Sequence, residues 1–267
     1  MIDTTSTYTW SNSNAYEAFM GRWSSPLAEA AVASLALPPD LRWLDVGCGT
    51  GATTQAILTV ADPREMTGID PSADFLAAAA KRVRDSRVRF ECGTIQSLPI
   101  PDGDYDAVIS GLVLLFLPDP LAGVVEMARA ARDGGMVSAY LWDVDGEDQF
   151  TLYFRKAATD LDPTAFIWDT SMNRALCRPE PLRALFEDAG LANVSVDEIV
   201  IPTVFDDFDD YWLPCLLDGP TPVQRYARSL TTDRQTVLRE HLRSMLPIAA
   251  DGTVPLYGHA WMVRGTK

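Results

Sequence analysis

The sequence predicts an α/β fold in which a doubly wound, mostly parallel sheet carries helices on both faces. Three observations predict it. Apolar, strand-like runs alternate with helical periodicities from residue 41 to 142, the pattern of repeated βαβ units. The first run, Leu41 to Val46, stops at the alternating glycines Gly47, Gly49 and Gly51 and passes directly into an Ala-rich stretch, Ala52 to Val60. The second run ends on a carboxylate, Asp70, where ligands of such sheets bind.

Each element follows from local pattern. Residues 1–14 are rich in Ser, Thr and Asn and are expected to order only when ligand binds. Apolar spacing from Ala15 to Leu37 predicts one or two helices, ended by Pro38-Pro39. Strands follow at 41–46, 65–70, 87–91, 105–110 and 134–142, with helices at 51–60, 73–84 and 119–132. Residues 144–178 hold an aromatic stretch (Phe150, Tyr153, Phe154, Phe166, Trp168) ahead of a helix from Pro179 to Ala189 and a strand at 193–200. From Ile201 to Asp251 the alternation is interrupted by predicted helices at 206–217, 221–230 and 232–245. Leu256 to Val263 reads as a final strand.

Bulk properties exclude several functions. At 267 residues and 47% hydrophobic content the chain suits one large α/β domain. A net charge of −15 repels phosphate backbones and anionic lipid, so neither nucleic acid nor membrane is an expected partner. The basic run Lys81, Arg82, Arg84, Arg87 and Arg89 reads as a solvated helix end and the outer face of the next strand. Four cysteines (Cys48, Cys92, Cys177, Cys215) without ligand spacing, and only two histidines, argue against a metal. Dispersed thiols and a polar N-terminal stretch point to a reducing cytoplasm. The longest apolar run, Leu112 to Leu117, is far too short to span a bilayer.

The glycine turn carries the chemistry. Glycine turns the backbone sharply and lets a ligand approach the main chain, and the following helix aims its N-terminal amides into the turn. Asp70 is placed to accept from a ribose diol. The run Gly47-Cys48-Gly49-Thr50-Gly51-Ala52 also satisfies a dinucleotide pattern. Asp45, two residues before the first glycine, argues against it, because a carboxylate there repels a pyrophosphate and attracts a cation. S-adenosylmethionine meets that requirement, with a nucleoside, no phosphate, an amino group and a sulfonium.

Five motifs occur in order: LDVGCGTG at 44–51, GIDPS at 68–72, CGTIQSLPIPDGDYDAVIS at 92–110, LVLLFLPDP at 112–120 and DGGMVSAYLWD at 133–143. With them the chain resembles the class I S-adenosylmethionine-dependent methyltransferases of small-molecule type, and is similar to the ubiquinone and menaquinone methyltransferase branch. The resemblance implies a seven-stranded Rossmann-like sheet whose last strand is antiparallel and inserted beside its predecessor. It implies one methyltransferase domain, with N-terminal lid helices at 1–37, a cofactor-binding core at 38–200, a helical insertion at 201–254 and the last strand at 255–267.

The cofactor cradle is then expected at Asp45, Gly47, Cys48, Gly49, Gly51, Asp70 and Pro71. By resemblance Thr94, Ile95 and Gln96 line the adenine, and the main chain of Ser110, Gly111 and Leu112 meets the methionine moiety. The sequence reads Gly93-Thr94-Ile95 where the family has Gly-Asp-Ala, so the adenine amino contact falls to a threonine hydroxyl or a backbone carbonyl. Leu115-Phe116 replaces a frequent Glu-His, so a histidine base is absent there.

Outside the motifs, Tyr16, Phe19, Met20, Arg22 and Trp23 have two readings. One is an amphipathic helix packed on the core. The other is an aromatic lid in which Tyr16 or Arg22 holds the cofactor carboxylate. Asp106 reads as structural. The acidic run Asp206 to Asp210 reads as a helix N-terminus, Tyr211 and Trp212 as core or substrate-facing, and His241 as solvated. Asp143, ending the fifth strand, and His259, early in the last strand, are the candidate general bases. The expected activity is in-line methyl transfer to a small apolar or aromatic acceptor. Alternatives are a methyltransferase-like cyclase that keeps the cofactor without transferring its methyl, and a non-catalytic sensor. No residue pattern names the acceptor atom or the oligomeric state.

Overall fold

Five apolar runs become five parallel strands: β1 (Arg42–Val46), β2 (Glu65–Asp70), β3 (Val88–Cys92), β4 (Tyr105–Gly111) and β5 (Ala131–Trp142). This computed structural model describes residues 17–144, 146, 149–166, 173–219 and 221–267. Tyr16, Trp168 and the polar first fourteen residues, which carried sequence-based expectations, lie outside the described residues.

The sheet has seven strands in the order β3-β2-β1-β4-β5-β7-β6. The last strand, β7 (Val254–Thr266), lies between β5 and β6 (Ala192–Phe205) and runs antiparallel to β5, with Trp142 opposite Ala260 and Met136 opposite Thr266. This is the expected doubly wound sheet with an inserted antiparallel final strand. Central strands are buried on both faces, which is why the neighbours Trp43 and Leu44 in β1, and Val46 beyond Asp45, are all apolar and fully buried.

Helices α1 (Arg22–Leu35), α2 (Ala52–Val60), α3 (Ala73–Arg82) and α4 (Pro120–Ala130) cover the sheet. Their starts are chemically marked. Ser72 Oγ accepts from Phe75 N–H to cap α3, and Asp119 caps α4 at Ala122 with Pro120 as its first residue. A π-helical turn at Glu17–Gly21 precedes α1.

The chain divides into two compact units. One comprises Gly21–Trp142, Asn173–Ile199 and Ala260–Lys267, and includes α6 (Pro179–Asp188). The other comprises Met1–Met20, Asp143–Met172 and Val200–His259. Its helices are α5 (Gln149–Leu161), α7 (Phe208–Trp212), α8 (Pro222–Ser229) and α9 (Thr232–Met245). An aromatic cluster forms its core. Phe19 lies 5.0 Å edge-on to Phe150, which stacks at 5.6 Å on Phe205, and Tyr211 meets Phe205 at 5.1 Å (ring centroids). Tyr211 also donates its hydroxyl to the Phe150 carbonyl at 2.7 Å. Tyr211 and Trp212 are therefore core residues, and Phe19 belongs to the same core.

Several boundaries differ from expectation. The stretch 144–178, read without a helix, contains α5, whose buried Phe150, Phe154, Ala157 and Ala158 recur at helical spacing. β6 runs to Phe205 rather than ending at 200, because alternate residues from Ile199 onward are buried. The helix expected at 206–217 is α7 followed by a 3₁₀ turn at Leu213–Leu216, where Pro214 cannot continue an α-helix. Helix α4 ends at Ala130 rather than 132, because Ala131 already pairs with Tyr105. The acidic run does start a helix, with Asp207 capping Asp210 N–H. His241 is not simply solvated, since its Nε2 lies 3.1 Å from Asp160 Oδ2.

Candidate active site

The glycine turn joins β1 to α2 and is tied to the end of β2. Ile69 O accepts from both Gly47 N–H (2.7 Å) and Cys48 N–H (3.0 Å). Asp70 is fixed by two amides: Oδ2 accepts from Gly49 N–H at 3.0 Å and Oδ1 from Ser72 N–H at 2.8 Å. Each of its oxygens keeps a further lone pair. Burial raises the Asp70 pKa, while the two amides act the other way.

The three glycines have different reasons to be glycine. All have positive φ, at 74°, 53° and 86° for Gly47, Gly49 and Gly51, a region costly for residues with a Cβ. A Cβ on Gly47 would sit 2.5 Å from Val113 Cγ2, and one on Gly51 would press on Ala79 and Val83 at 3.3 Å. Those two glycines serve packing. Only at Gly49 would a Cβ enter open space, the nearest atom being Phe75 Cδ2 at 4.0 Å. A side chain at 49 would therefore enter open space, whereas one at 47 or 51 would meet the protein itself.

Asp45 is fully buried. Its Oδ2 accepts from the Thr54 hydroxyl at 2.7 Å, and its Oδ1 is buried with no hydrogen-bond partner among the described residues. Burial pushes its pKa up to about 7, with the nearby Asp70 charge adding to the rise and Thr54 opposing it. Asp45 therefore titrates in the neutral range. Cys48 is buried too, and burial raises its thiol pKa; it packs as an apolar residue.

The remaining expected positions occupy loops at the same strand ends. Thr94 and Gln96 are exposed, flanking buried Ile95 in a turn closed by Ser97 N–H to Thr94 O at 3.1 Å. The Ile95 side chain points to Gly123 of α4, while the Thr94 and Gln96 side chains stay exposed. Pro71 is exposed. At the end of β4 the Ser110 hydroxyl is committed to Val46 O at 2.8 Å. Leu112 holds φ at 62°, uncommon for a non-glycine residue and frequent at functional sites. Arg22 opens α1 with its guanidinium 4.7 Å from the Trp23 ring centroid.

Asp143 and His259 fall in the other unit, where the backbone joins them: His259 O accepts from Asp143 N–H at 2.9 Å. Asp143 is buried and His259 half-buried. The two candidate bases are thus neighbours of each other. Asp106 is structural as expected, accepting from Arg42 N–H at 2.8 Å and pairing with Arg132 at 2.6 Å. Against the opposing effect of burial, those contacts lower its pKa.

Sequence reasoning missed Thr53, Thr54 and Tyr140. Two adjacent threonines in the first turn of a helix are poor helix formers, a signal that their hydroxyls are used elsewhere. A tyrosine inside an otherwise apolar strand likewise demands a hydroxyl partner.

Comparison with known proteins places these motifs. The methyltransferase domain family matches residues 44–139. A demethylmenaquinone methyltransferase of Bacillus licheniformis is 32% identical over 170 residues, covering 59% of this chain and 73% of that protein. An uncharacterized methyltransferase of Schizosaccharomyces pombe is 35% identical over 105 residues, and there the match spans 36% of this chain and 38% of the relative's length. Among solved structures, the [4+2]-cyclase SpnF shares the fold with TM-score 0.57 and 20% identity, over 98% of this chain and 86% of that one.

Proposed function

Because this chain belongs to the class I S-adenosylmethionine-dependent methyltransferases, beside the demethylmenaquinone methyltransferases, we propose that it transfers a methyl group to a small apolar or aromatic acceptor. Its cofactor is S-adenosylmethionine, which when bound supplies an electrophilic methyl group on a sulfonium.

The residues present suit that cofactor. Two buried carboxylates, Asp45 and Asp70, stand at a turn that a pyrophosphate would need to occupy, so the local field favours a cationic ligand over an anionic one. Asp45 Oδ1, which has no hydrogen-bond partner among the described residues, is the observation that carries the reading. A buried acceptor without a donor is costly, and an ammonium group supplies the donor. Asp70 would accept from ribose hydroxyls, oriented by the Gly49 and Ser72 amides. The open space at Gly49 would admit the nucleoside. Thr94, Ile95 and Gln96 would flank the adenine, and Ser110 to Leu112 the methionine moiety, with Cys48 and Pro71 completing the walls. Arg22 is the candidate for the cofactor carboxylate.

For the acceptor, Asp143 and His259 are the groups that would take a proton from a hydroxyl or phenol. Positioning alone supplies much of the rate in such a displacement, so an acceptor that needs no deprotonation would not use them. Small-molecule acceptors suit the net charge of −15. Among the described residues no helix is long and apolar enough to cross a membrane.

The test has two stages. Calorimetry should show S-adenosylhomocysteine binding and no NAD binding. Incubation with methyl-labelled cofactor and a panel of apolar phenols and hydroquinones should then yield labelled product and S-adenosylhomocysteine together. Tight NAD binding would overturn the reading. Acceptor conversion without S-adenosylhomocysteine would favour the cyclase alternative, which rests on a fold that hosts many chemistries.

A further inference from the structure

The first turn of α2, whose amide end faces the glycine turn, is fastened to the sheet at two points. Thr54 donates to Asp45 on β1 at 2.7 Å. Its neighbour Thr53 shares a 2.7 Å hydrogen bond with the Tyr140 hydroxyl on β5, buried on both sides. Gly51, which precedes α2, provides no side-chain cap, so these two bonds hold the end of the helix in place of a cap.

Tyr140 does more than reach α2. Its backbone carbonyl accepts from Leu112 N–H at 2.8 Å, holding the residue with φ of 62°. Its ring and hydroxyl lie against Gly111, where an added Cβ would sit 2.5 Å from Cζ. Tyr140 and Gly111 are also paired in the β4–β5 ladder. One side chain therefore links the start of α2 with the loop leaving β4. It is almost fully buried, at 1% exposure, and so does not touch a ligand in the cleft itself.

We propose that Tyr140 is a positioning residue for cofactor binding: through its hydroxyl bond to Thr53 and its contact with Gly111 it sets the spacing between the α2 amide end and the Gly111–Leu112 loop. The glycine at 111 is required because the Tyr140 hydroxyl occupies the space of a side chain. The strained Leu112 backbone persists because its amide is held by the same residue. The proposal rests on the cofactor reading given above, and its test separates the two.

The experiment is equilibrium binding of S-adenosylhomocysteine to the ligand-free protein, by calorimetry, for wild type, Tyr140→Phe, Thr53→Val and the double variant. Wild-type binding is the control for the cofactor reading, and its absence would refute that reading. With wild type binding, Tyr140→Phe is expected to raise Kd five- to thirtyfold and Thr53→Val to raise it by a similar factor. The double variant should be no weaker than either single one, because all three lose the same bond. Thr53→Ser should recover the affinity that Thr53→Val loses. Amide exchange in residues 52–55 and 111–113 should quicken in the ligand-free variants.

A merely structural hydroxyl would lower the melting temperature and leave Kd unchanged. That result in Tyr140→Phe, or strictly additive losses in the double variant, overturns the proposal. If Tyr140→Phe fails to fold, Thr53→Val reads the same bond from its other end.

Discussion

Asp45 should make cofactor affinity depend on pH in the neutral range. The group is buried, one oxygen has no partner among the described residues, and its pKa is raised to about 7. A cationic ligand beside it binds the ionised form. With that pKa, Asp45 is about nine-tenths ionised at pH 8 and about one-tenth at pH 6. The Kd for S-adenosylhomocysteine, whose amino group stays cationic over this range, should therefore rise about tenfold from pH 8 to pH 6, about 1.4 kcal/mol. Calorimetry in buffers of different ionisation enthalpy should count about 0.9 proton released per ligand at pH 6 and about 0.1 at pH 8. Asp45→Asn should flatten the profile. A constant Kd across the range, or no proton release at pH 6, would refute both the titration and the pairing of Asp45 with the ligand cation. Without ligand the sign reverses. A folded-state pKa raised above the unfolded value gives stability that is present below about pH 4 and lost as pH rises through 7. Asp45→Asn should therefore raise the melting temperature of the ligand-free protein more at pH 8 than at pH 5.

Asp70→Ala should weaken S-adenosylhomocysteine binding by ~1.5–3 kcal/mol, since it removes a charged acceptor and releases the amides of Gly49 and Ser72; unchanged calorimetric affinity would remove Asp70 from the ribose. The two glycine sites should separate folding from binding. Gly47→Ala meets Val113 and should lower the melting temperature strongly, whereas Gly49→Val projects into open space and should abolish ligand binding at a cost to stability of about 1–2 kcal/mol. The opposite ranking in paired melting and binding measurements would exchange their roles. Phe19→Ala should destabilise the unit containing α5 and α7 by about 3–5 kcal/mol, seen as faster amide exchange in residues 149–161 and 208–212. Unaltered exchange there would mean that the aromatic cluster does not depend on Phe19.

The parallel core was legible because its signals are local. Apolar runs, the glycines after β1 and the capping residues Ser72 and Asp119 each act over a few residues, so the strand–helix alternation can be read along the chain. The two buried carboxylates were legible for the same reason, since Asp45 and Asp70 lie at the ends of apolar strands, where a charge without a task is costly. The helix α5 was obscured because aromatic residues carry no strong helix preference, and its burial depends on Phe205 and Tyr211, more than fifty residues away. The length of β6 was set likewise by what covers its alternate residues.

The sequence by itself determined the sheet's first five strands, the glycine turn and the two carboxylates, because hydrophobic periodicity and backbone permissiveness are properties of short segments. Only the tertiary structure decided which glycine faces open space, which oxygen of Asp45 is without a partner among the described residues and which tyrosine fastens α2. Those answers depend on Val113 meeting Gly47 and Tyr140 meeting Thr53, pairs separated by 66 and 87 positions in the chain. Van der Waals contact and hydrogen bonding act over a few ångströms, and no local pattern records which distant residue will arrive within that range.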